Sequence, residues 1–536
     1  MAPSDASTRD ASPRDTSPRD ASPLQAQQRG NAFSTVWRPA IAGFAAATAA
    51  LGFAELTAAL LAPTASPVLS VGALIIDLVP PGVKDLVIGL FGTADKLVLI
   101  ISIGLVVFAL AGLAGILEYR RPPWGRVLVV AAAALALFAA LTRADSAALD
   151  AFPSLVAAGV GTIVLTVLTR RLSNRPAGEG TLDRRGFLAF TGASAGLGVL
   201  ALIGGQLLLA GTRAADAARA LFTLPPASVP GVPIPEGASF EVAGLSPIIT
   251  PNADFYRIDT ALQVPRIDPS TWTLRITGMV EKEVEISFAE LLALPLEEST
   301  TTLACVSNYV GGDLIGNAVW LGYPIRHLLA RAVPTGGADM VLSRSSDGFT
   351  AGTPLEALTD ERNAILAVGM NGDPLPLEHG YPVRMVVPGL YGYVSATKWV
   401  VELGVTRFDQ AQGYWTPRGW SELGPVKLSS RIDVPRRGAQ VAAGQVVVAG
   451  VAWSQHVGVS AVQVQIDDGE WNDATLADAI SADTWRQWMF TWPATPGSHS
   501  VTVRATDANG LVQTSLTRDV APDGATGLHR VSVNVA

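Results

Sequence analysis

The sequence predicts a multi-domain chain: an all-α transmembrane bundle, then a mixed α+β domain, then an immunoglobulin-like β-sandwich. Three observations predict it. Nearly continuous Ala, Leu, Val, Gly and Ile fill residues 37 to 211. Residues 240 to 420 interleave short β-branched runs with short amphipathic ones, and residues 425 to 536 alternate apolar and polar positions between turn signals. With 49% hydrophobic and only 16% charged residues, the chain is too apolar for an ordinary water-soluble protein, so the excess must be housed in lipid. A formal net charge of −8 argues against nucleic-acid binding, since no basic face is needed to explain any segment.

Residues 1 to 34 begin "MAPSDASTRDASPRDTSPRDASP", a repeated Arg-Asp-(Ala/Thr)-Ser-Pro unit that cannot bury a core, and are expected to be a disordered cytoplasmic tail. Residues 35 to 212 form the transmembrane region. Its apolar runs at 37–62, 95–117, 124–142 and 152–169, with a fifth at 187–211, are long enough to cross a hydrocarbon layer about 30 Å thick as helices. Between Ser66 and Gly92, Pro80-Pro81 and the charges of Asp77, Lys84 and Asp85 interrupt an apolar stretch, which reads as two short interfacial or re-entrant helices. Arg120, Arg121 and Arg126 follow the second run, and Arg170, Arg171, Arg175, Arg184 and Arg185 follow the fourth, so those loops should be cytoplasmic. Five crossings that start inside place the N-terminus in the cytoplasm and everything after residue 212 on the extracytoplasmic side of the cell membrane. "TLDRRGFLAF", with Arg184-Arg185 ahead of Gly186-Phe187-Leu188, resembles a twin-arginine export signal. Its alternative is a positive-inside anchor.

What is missing limits the chemistry. The first histidine is His327, so the membrane half has no imidazole to hold a haem, and no C-x-x-C or C-x-x-C-H occurs. Electrons from any redox reaction must therefore leave through a separate carrier, a cytochrome or a quinone-linked protein. Glu55, inside the first apolar run, is either a functional group or a carboxyl bonded to a neighbouring helix.

In the C-terminal part, residues 425–536, "AVQVQIDDGEWNDATL" and "SHSVTVRATDANGLVQTSL" alternate and then turn at Asp467-Asp468-Gly469 and at Asp507 to Gly510. With Trp453, Trp471, Trp488 and Trp492 they read as a sandwich. His456, His499 and His529 have no companions at ligand spacing and read as surface or packing residues. In the middle part, residues 240–422, Asn371-Gly372 between apolar runs signals a hairpin, and no Gly-rich nucleotide loop or hydrolase triad order appears.

The single cysteine, Cys305, stands in "TTLACVSNYVGG". It is either a small buried hydrophobe or a soft donor to a heavy metal, and the glycines and asparagines that follow suit backbone lying close to a ligand.

"TPNADFYRIDTALQVP", "ACVSNYVGGDLIGNAVWLGYPIRHLL" and "MNGDPLPLEHGYPVRMVVPGLYGYVSATKWV", in this order around the one cysteine, resemble the sulfite oxidase family of molybdopterin enzymes. "AWS", "DDGEW" and "WRQWMFTW" are similar to that family's immunoglobulin-like dimerisation domain. The resemblance implies an α+β sulfite-oxidase-type domain carrying a molybdenum-molybdopterin cofactor, with Cys305 as protein ligand to the metal and no haem. It implies further cofactor contacts at Asn252, Tyr256, Arg257, Ser345 or its neighbours, His379, Arg384, Ala396, Thr397 and Lys398. Arg384 and Lys398 suit a pterin phosphate. Arg257 and Tyr393 would steer substrate. The implied reaction is oxygen-atom transfer, sulfite oxidation by family habit. The chain nevertheless lacks further arginines after the cysteine, where Asn308, Tyr309 and Val310 stand, so S-oxide or methionine sulfoxide reduction competes. Rival readings are a membrane-anchored binding protein without catalysis and a transporter-like or quinone-contacting helical module. The sandwich leaves a monomer or a loose homodimer open.

Overall fold

The computed structural model describes residues 23–62, 65–79, 95–143, 146–173, 182–210 and 222–536, with a few isolated residues between. Residues 1–22 of the expected tail, and most of the second expected interfacial helix, lie outside the described residues. The chain divides into a helical unit and a larger C-terminal unit.

The helical unit contains α1 (Pro23–Leu61), α2 (Pro67–Leu78), α3 (Asp95–Arg120), α4 (Trp124–Leu141), α5 (Phe152–Ser173) and α6 (Leu182–Ala210). Helix α1 begins at Pro23, so its first turns occupy part of the segment expected to be a disordered tail; "LQAQQRGNAF" contains enough good helix formers to carry the helix back from the apolar run. Five segments, Val36–Leu61, Lys96–Arg120, Trp124–Leu141, Ala148–Ser173 and Arg185–Leu207, are long and apolar enough to cross a membrane. Small residues let α1 approach its neighbours: a Cβ on Gly43 would overlap the backbone at Ala111, and one on Gly52 would overlap Gly198. The α3–α4 connection is closed by Glu118, whose carboxylate takes Arg126 Nε at 2.8 Å and the Arg126 backbone N–H at 3.0 Å. Glu55 is buried and accepts a 2.7 Å hydrogen bond from Ser66 Oγ, the neighbouring-segment partner that a buried carboxyl requires.

In the C-terminal unit the strands β1 (Thr273–Gly278), β2 (Val284–Ser287), β5 (Met340–Ser345), β6 (Thr350–Pro354) and β10 (Val400–Thr406) form one sheet in the order β2-β1-β10-β5-β6, with β1 and β10 parallel. A second sheet pairs β3 (Glu297–Ala304), β4 (Ile315–Pro324), β7 (Ile365–Met370) and β8 (Asp373–Pro374), with β9 (Arg384–Val386) alongside β7. Helices α7 (Phe288–Leu292), α8 (Ile325–Ala332) and α9 (Leu355–Thr359) cover them, and Leu274, Ile276, Leu291, Leu328, Leu366 and Leu403 fill the core. The Asn371-Gly372 hairpin forms between β7 and β8, with φ of 53° and 84° as a primed turn needs.

The remaining strands make two sheets, β11 (Ser429–Val434), β13 (Gly444–Trp453), β17 (Arg486–Ala494) and β16 (Thr475–Leu476), and β12 (Ala439–Val441), β19 (His529–Val535), β18 (Gly497–Asp507), β14 (Val459–Ile466) and β15 (Trp471–Asp473). Val448, Val464, Trp488, Val503 and Val533 form their shared core, so this part is the predicted β-sandwich.

Candidate active site

Cys305 follows the last residue of β3, and the chain returns as β4 from Ile315, so the segment between them is a loop held by the two paired strands. Its base is closed by Cys305 N–H to Leu314 O at 2.9 Å. The Asn308 N–H donates to Cys305 O at 3.1 Å, and Asn308 Oδ1 accepts from Leu314 N–H at 3.0 Å. Asn308 thus serves the loop's own backbone. The thiol is half-buried, and burial raises its pKa above the usual cysteine value, opposed by hydrogen bonds from Ser307 and by the charge of Lys398. A metal ion bonded there would favour the thiolate instead.

The cations around it come from three separate segments. Arg384, on β9, is buried and lies over the Trp320 ring at 5.1 Å; its Nη1 donates to His379 O at 3.1 Å and its Nε to Met385 O at 3.3 Å. Among the described residues no carboxylate is within ion-pair distance of it. Burial lowers its pKa to about 10. Lys398 is 9% exposed, donates to Glu378 O at 2.9 Å and to Asp259 Oδ2 at 3.1 Å, and has its pKa lowered to about 8, chiefly by burial. Arg257 is exposed, and its Nε reaches the same Asp259 oxygen at 3.0 Å. Gly380 lets these segments meet: it has φ 111°, and a Cβ there would stand 2.9 Å from Arg384 Cβ and 3.2 Å from Lys398 Cα.

His379 is 2% exposed, and its Nε2 faces Asn252 O at 3.3 Å. Burial first, then Lys398 and Arg384, lower its pKa to about 3, so the ring is neutral. Among the described residues its Nδ1 is buried without a partner, as is the Ser346 hydroxyl. Those two orphaned groups, the uncompensated Arg384 guanidinium and the soft thiol suit an anionic, hydrogen-bonding cofactor that brings its own metal. The residues present therefore fit a molybdenum-molybdopterin group.

The structure brings most of the predicted site residues together. The ionisation of Tyr256 is coupled to Cys305 and Arg384, and burial pushes its hydroxyl well above the ordinary tyrosine range. Ala396 O accepts from Arg384 Nη2 at 3.5 Å, and Thr397 lies buried with its hydroxyl 2.7 Å from Ser343 Oγ. Ser345 closes the β5–β6 turn, where its neighbour Ser346 carries the open hydroxyl. Asn252 is engaged by the framework: it donates to Met370 O at 3.2 Å and accepts from Asn371 Nδ2 at 2.8 Å. The Tyr393 hydroxyl donates to Ser421 O at 2.8 Å and its ring packs on Trp420. Tyr391, 6% exposed, is a second tyrosine that feels the charge of Cys305, its pKa pushed up to about 12, mainly by burial. Ser346 is one of the neighbours of Ser345 that the sequence pointed to, whereas Asp259, Trp320 and Tyr391 were not singled out; of these only Asp259 had a signal, its i,i+2 spacing from Arg257.

The sandwich also touches the cysteine loop. Arg431 Nη1 donates to Gly312 O at 2.8 Å, and the His529 ring lies where a Cβ on Gly311 would be. His456 and His499 each face one carboxylate, Asp483 and Asp467, and among the described residues no cluster of metal-ligating side chains forms.

Residues 261–415 match the family described as oxidoreductase molybdopterin binding domain, and residues 429–503 match bacterial Ig domain. The chain is 29% identical over 314 residues to the sulfite oxidase of Gallus gallus, an alignment covering 49% of this chain and 68% of that protein. It is 32% identical over 157 residues to the uncharacterized oxidoreductase YuiH of Bacillus subtilis (strain 168), covering 29% of this chain and 76% of that one. It spans only 52–55% of the length of the mammalian mitochondrial sulfite oxidases it matches. Among solved structures, the sulfane dehydrogenase SoxCD from Paracoccus pantotrophus aligns with a TM-score of 0.47 at 22% identity, over 54% of this chain and 83% of that chain.

Proposed function

Because the chain belongs to the sulfite oxidase family of molybdopterin-dependent oxidoreductases, we propose that it is a membrane-anchored enzyme moving an oxygen atom onto or off a small sulfur compound. Sulfite oxidation is the first reading: sulfite and water give sulfate, two protons and two electrons, and the electrons pass to a separate carrier. The observation that carries the proposal is the convergence of Cys305, Tyr256, Arg384, Lys398 and the orphaned His379 Nδ1.

When bound, the molybdenum cofactor supplies the two-electron oxidation or reduction that oxygen transfer needs. The chain's own residues do the rest. Cys305 would hold the metal as a thiolate. Arg384 would offer the pterin phosphate the guanidinium hydrogens not spent on the His379 and Met385 carbonyls, Lys398 would act as a point charge, and His379 Nδ1 and Ser346 Oγ would be available to hydrogen-bond the pterin. Arg257, at the exposed edge, orients an anionic or polar substrate. Tyr256 and Tyr391 cover the thiolate side and exclude water, which strengthens the electrostatic interactions inside.

A second reading, reduction of an S-oxide such as oxidised methionine, is favoured by one observation: Arg257 is already paired with Asp259, so less positive charge remains for a dianion. The five apolar helices anchor the enzyme in the cell membrane with its N-terminus inside and the C-terminal unit outside the cytoplasm, the latter crossing already folded through the motif at Arg184-Arg185.

Metal analysis of the purified protein beside Cys305→Ser tests the core of this reading. About one molybdenum per chain, lost in the variant, is expected; no molybdenum in either protein would remove the enzyme reading and leave a binding module. Sulfite oxidation and sulfoxide reduction, assayed side by side with artificial electron carriers, then separate the two directions.

A further inference from the structure

Among the described residues, Asp259 is the carboxylate paired with the cations of this cluster. Its side chain is 5% exposed, and a single oxygen, Oδ2, accepts from Arg257 Nε at 3.0 Å and from Lys398 Nζ at 3.1 Å. The two cations differ in access. Lys398 is buried and also held by Glu378 O, whereas the Arg257 side chain is 40% exposed, and among the described residues its Nη groups make no hydrogen bond. An incoming anion therefore meets Arg257 together with the carboxylate behind it.

We infer that Asp259 is a specificity-determining residue, which offsets the charge of Arg257 at the site's edge and turns the site from dianions toward neutral or singly charged sulfur substrates. The inference rests on the oxygen-transfer reading for its substrate class but not for its physics. Coulomb energy scales with the product of the charges, so a nearby carboxylate opposes a dianion twice as strongly as a monoanion and a neutral molecule hardly at all.

Three unreactive probes of similar shape separate charge from fit: sulfate, methanesulfonate and dimethyl sulfone. Their binding to the cofactor-loaded, detergent-solubilised full chain is measured by calorimetry at fixed ionic strength, so no turnover is needed. In the unaltered protein, sulfate should bind no more than about ten-fold more tightly than methanesulfonate; a hundred-fold preference overturns the inference without any variant. In Asp259→Asn, sulfate should tighten by about ten-fold, methanesulfonate by about three-fold, and dimethyl sulfone not at all. Asp259→Glu, which keeps the charge, should stay near the parent, and Arg257→Gln combined with Asp259→Asn should lose the gain. Equal shifts for all three probes, or a gain that survives loss of Arg257, would overturn it. If neither sulfite nor sulfoxide is turned over while the probe series behaves as expected, the oxygen-transfer reading fails and the charge role of Asp259 stands.

Discussion

The backbone N–H of Trp485, in the sandwich, donates to Thr302 Oγ1 at 2.8 Å, just ahead of Cys305 on strand β3. The same hydroxyl donates to Asn317 Oδ1 at 3.0 Å, the Thr302 N–H reaches Asp483 O at 3.0 Å, and Thr302 O accepts from Gln455 Nε2. Every polar group of this buried threonine is used, three of them toward the sandwich. With Arg431 on Gly312 at the far side, the sandwich grips both flanks of the cysteine loop. The sandwich thus holds the strand that leads to Cys305.

Thr302→Val keeps the shape and removes the hydroxyl, leaving the Trp485 N–H and the Asn317 carbonyl unsatisfied in a dry environment. Each orphaned group costs about 1–3 kcal/mol. Denaturant unfolding of the C-terminal transition should move by that order, and molybdenum content should fall with it; an unchanged midpoint would show that the contact across the two domains carries no stability.

Gly311 offers a second handle on the same grip. Its φ is 79°, a conformation costing a residue with Cβ roughly 1–2 kcal/mol, and that Cβ would also overlap the His529 ring. Gly311→Ala should therefore destabilise by more than the backbone term alone. Adding His529→Ala should recover the overlap but not the backbone strain, so the double variant should be less destabilised than the sum of the singles. Strict additivity in thermal melts would contradict the contact.

The distribution of what was legible follows from these contacts. The five long helices were visible because each is a long, nearly unbroken apolar run, a local property of the sequence. The hairpin at Asn371-Gly372 was visible for the same reason, since the turn dictates its residues. Cys305 stood out by being alone. Asp259 as a partner of Lys398 was not legible, because 139 positions separate them and only the fold brings them together; the Trp485 contact with Thr302 spans 183. The surroundings of Tyr391 and Tyr393 were not legible either: both lie around one short helical turn, Gly392–Val394, and only the fold brings the Ser421 carbonyl to the Tyr393 hydroxyl.

Arg384→Lys should separate folding from cofactor retention. The guanidinium uses its fork on the His379 and Met385 carbonyls while stacked on Trp320, and lysine cannot reproduce a planar fork. Losing one charge-assisted contact costs about 1.5–3 kcal/mol, which is about ten-fold or more in affinity. Molybdopterin recovered from the purified variant should drop accordingly while far-ultraviolet circular dichroism stays native. Full retention would remove Arg384 from the cofactor site.

His529 should make the grip on the cysteine loop sensitive to pH. The Ile432 N–H donates to its Nδ1 at 3.0 Å, so the ring must be neutral with its proton on Nε2. Burial, then the Arg431 and Arg437 guanidinium groups, lower its pKa from 6.5 to about 4, with Asp433 opposing. In the unfolded chain the imidazole takes up its proton near 6.5, whereas the folded protein resists until about 4. Between those values the unfolded state binds more protons, so the stability of the C-terminal unit rises with pH across that window and is lost as pH falls through it. His529→Asn keeps an acceptor where Nδ1 stands and does not titrate. Melting temperatures taken between pH 7.5 and 4 should decline less steeply in this variant than in the parent. Parallel curves would mean that His529 does not carry the acid sensitivity of the loop it covers.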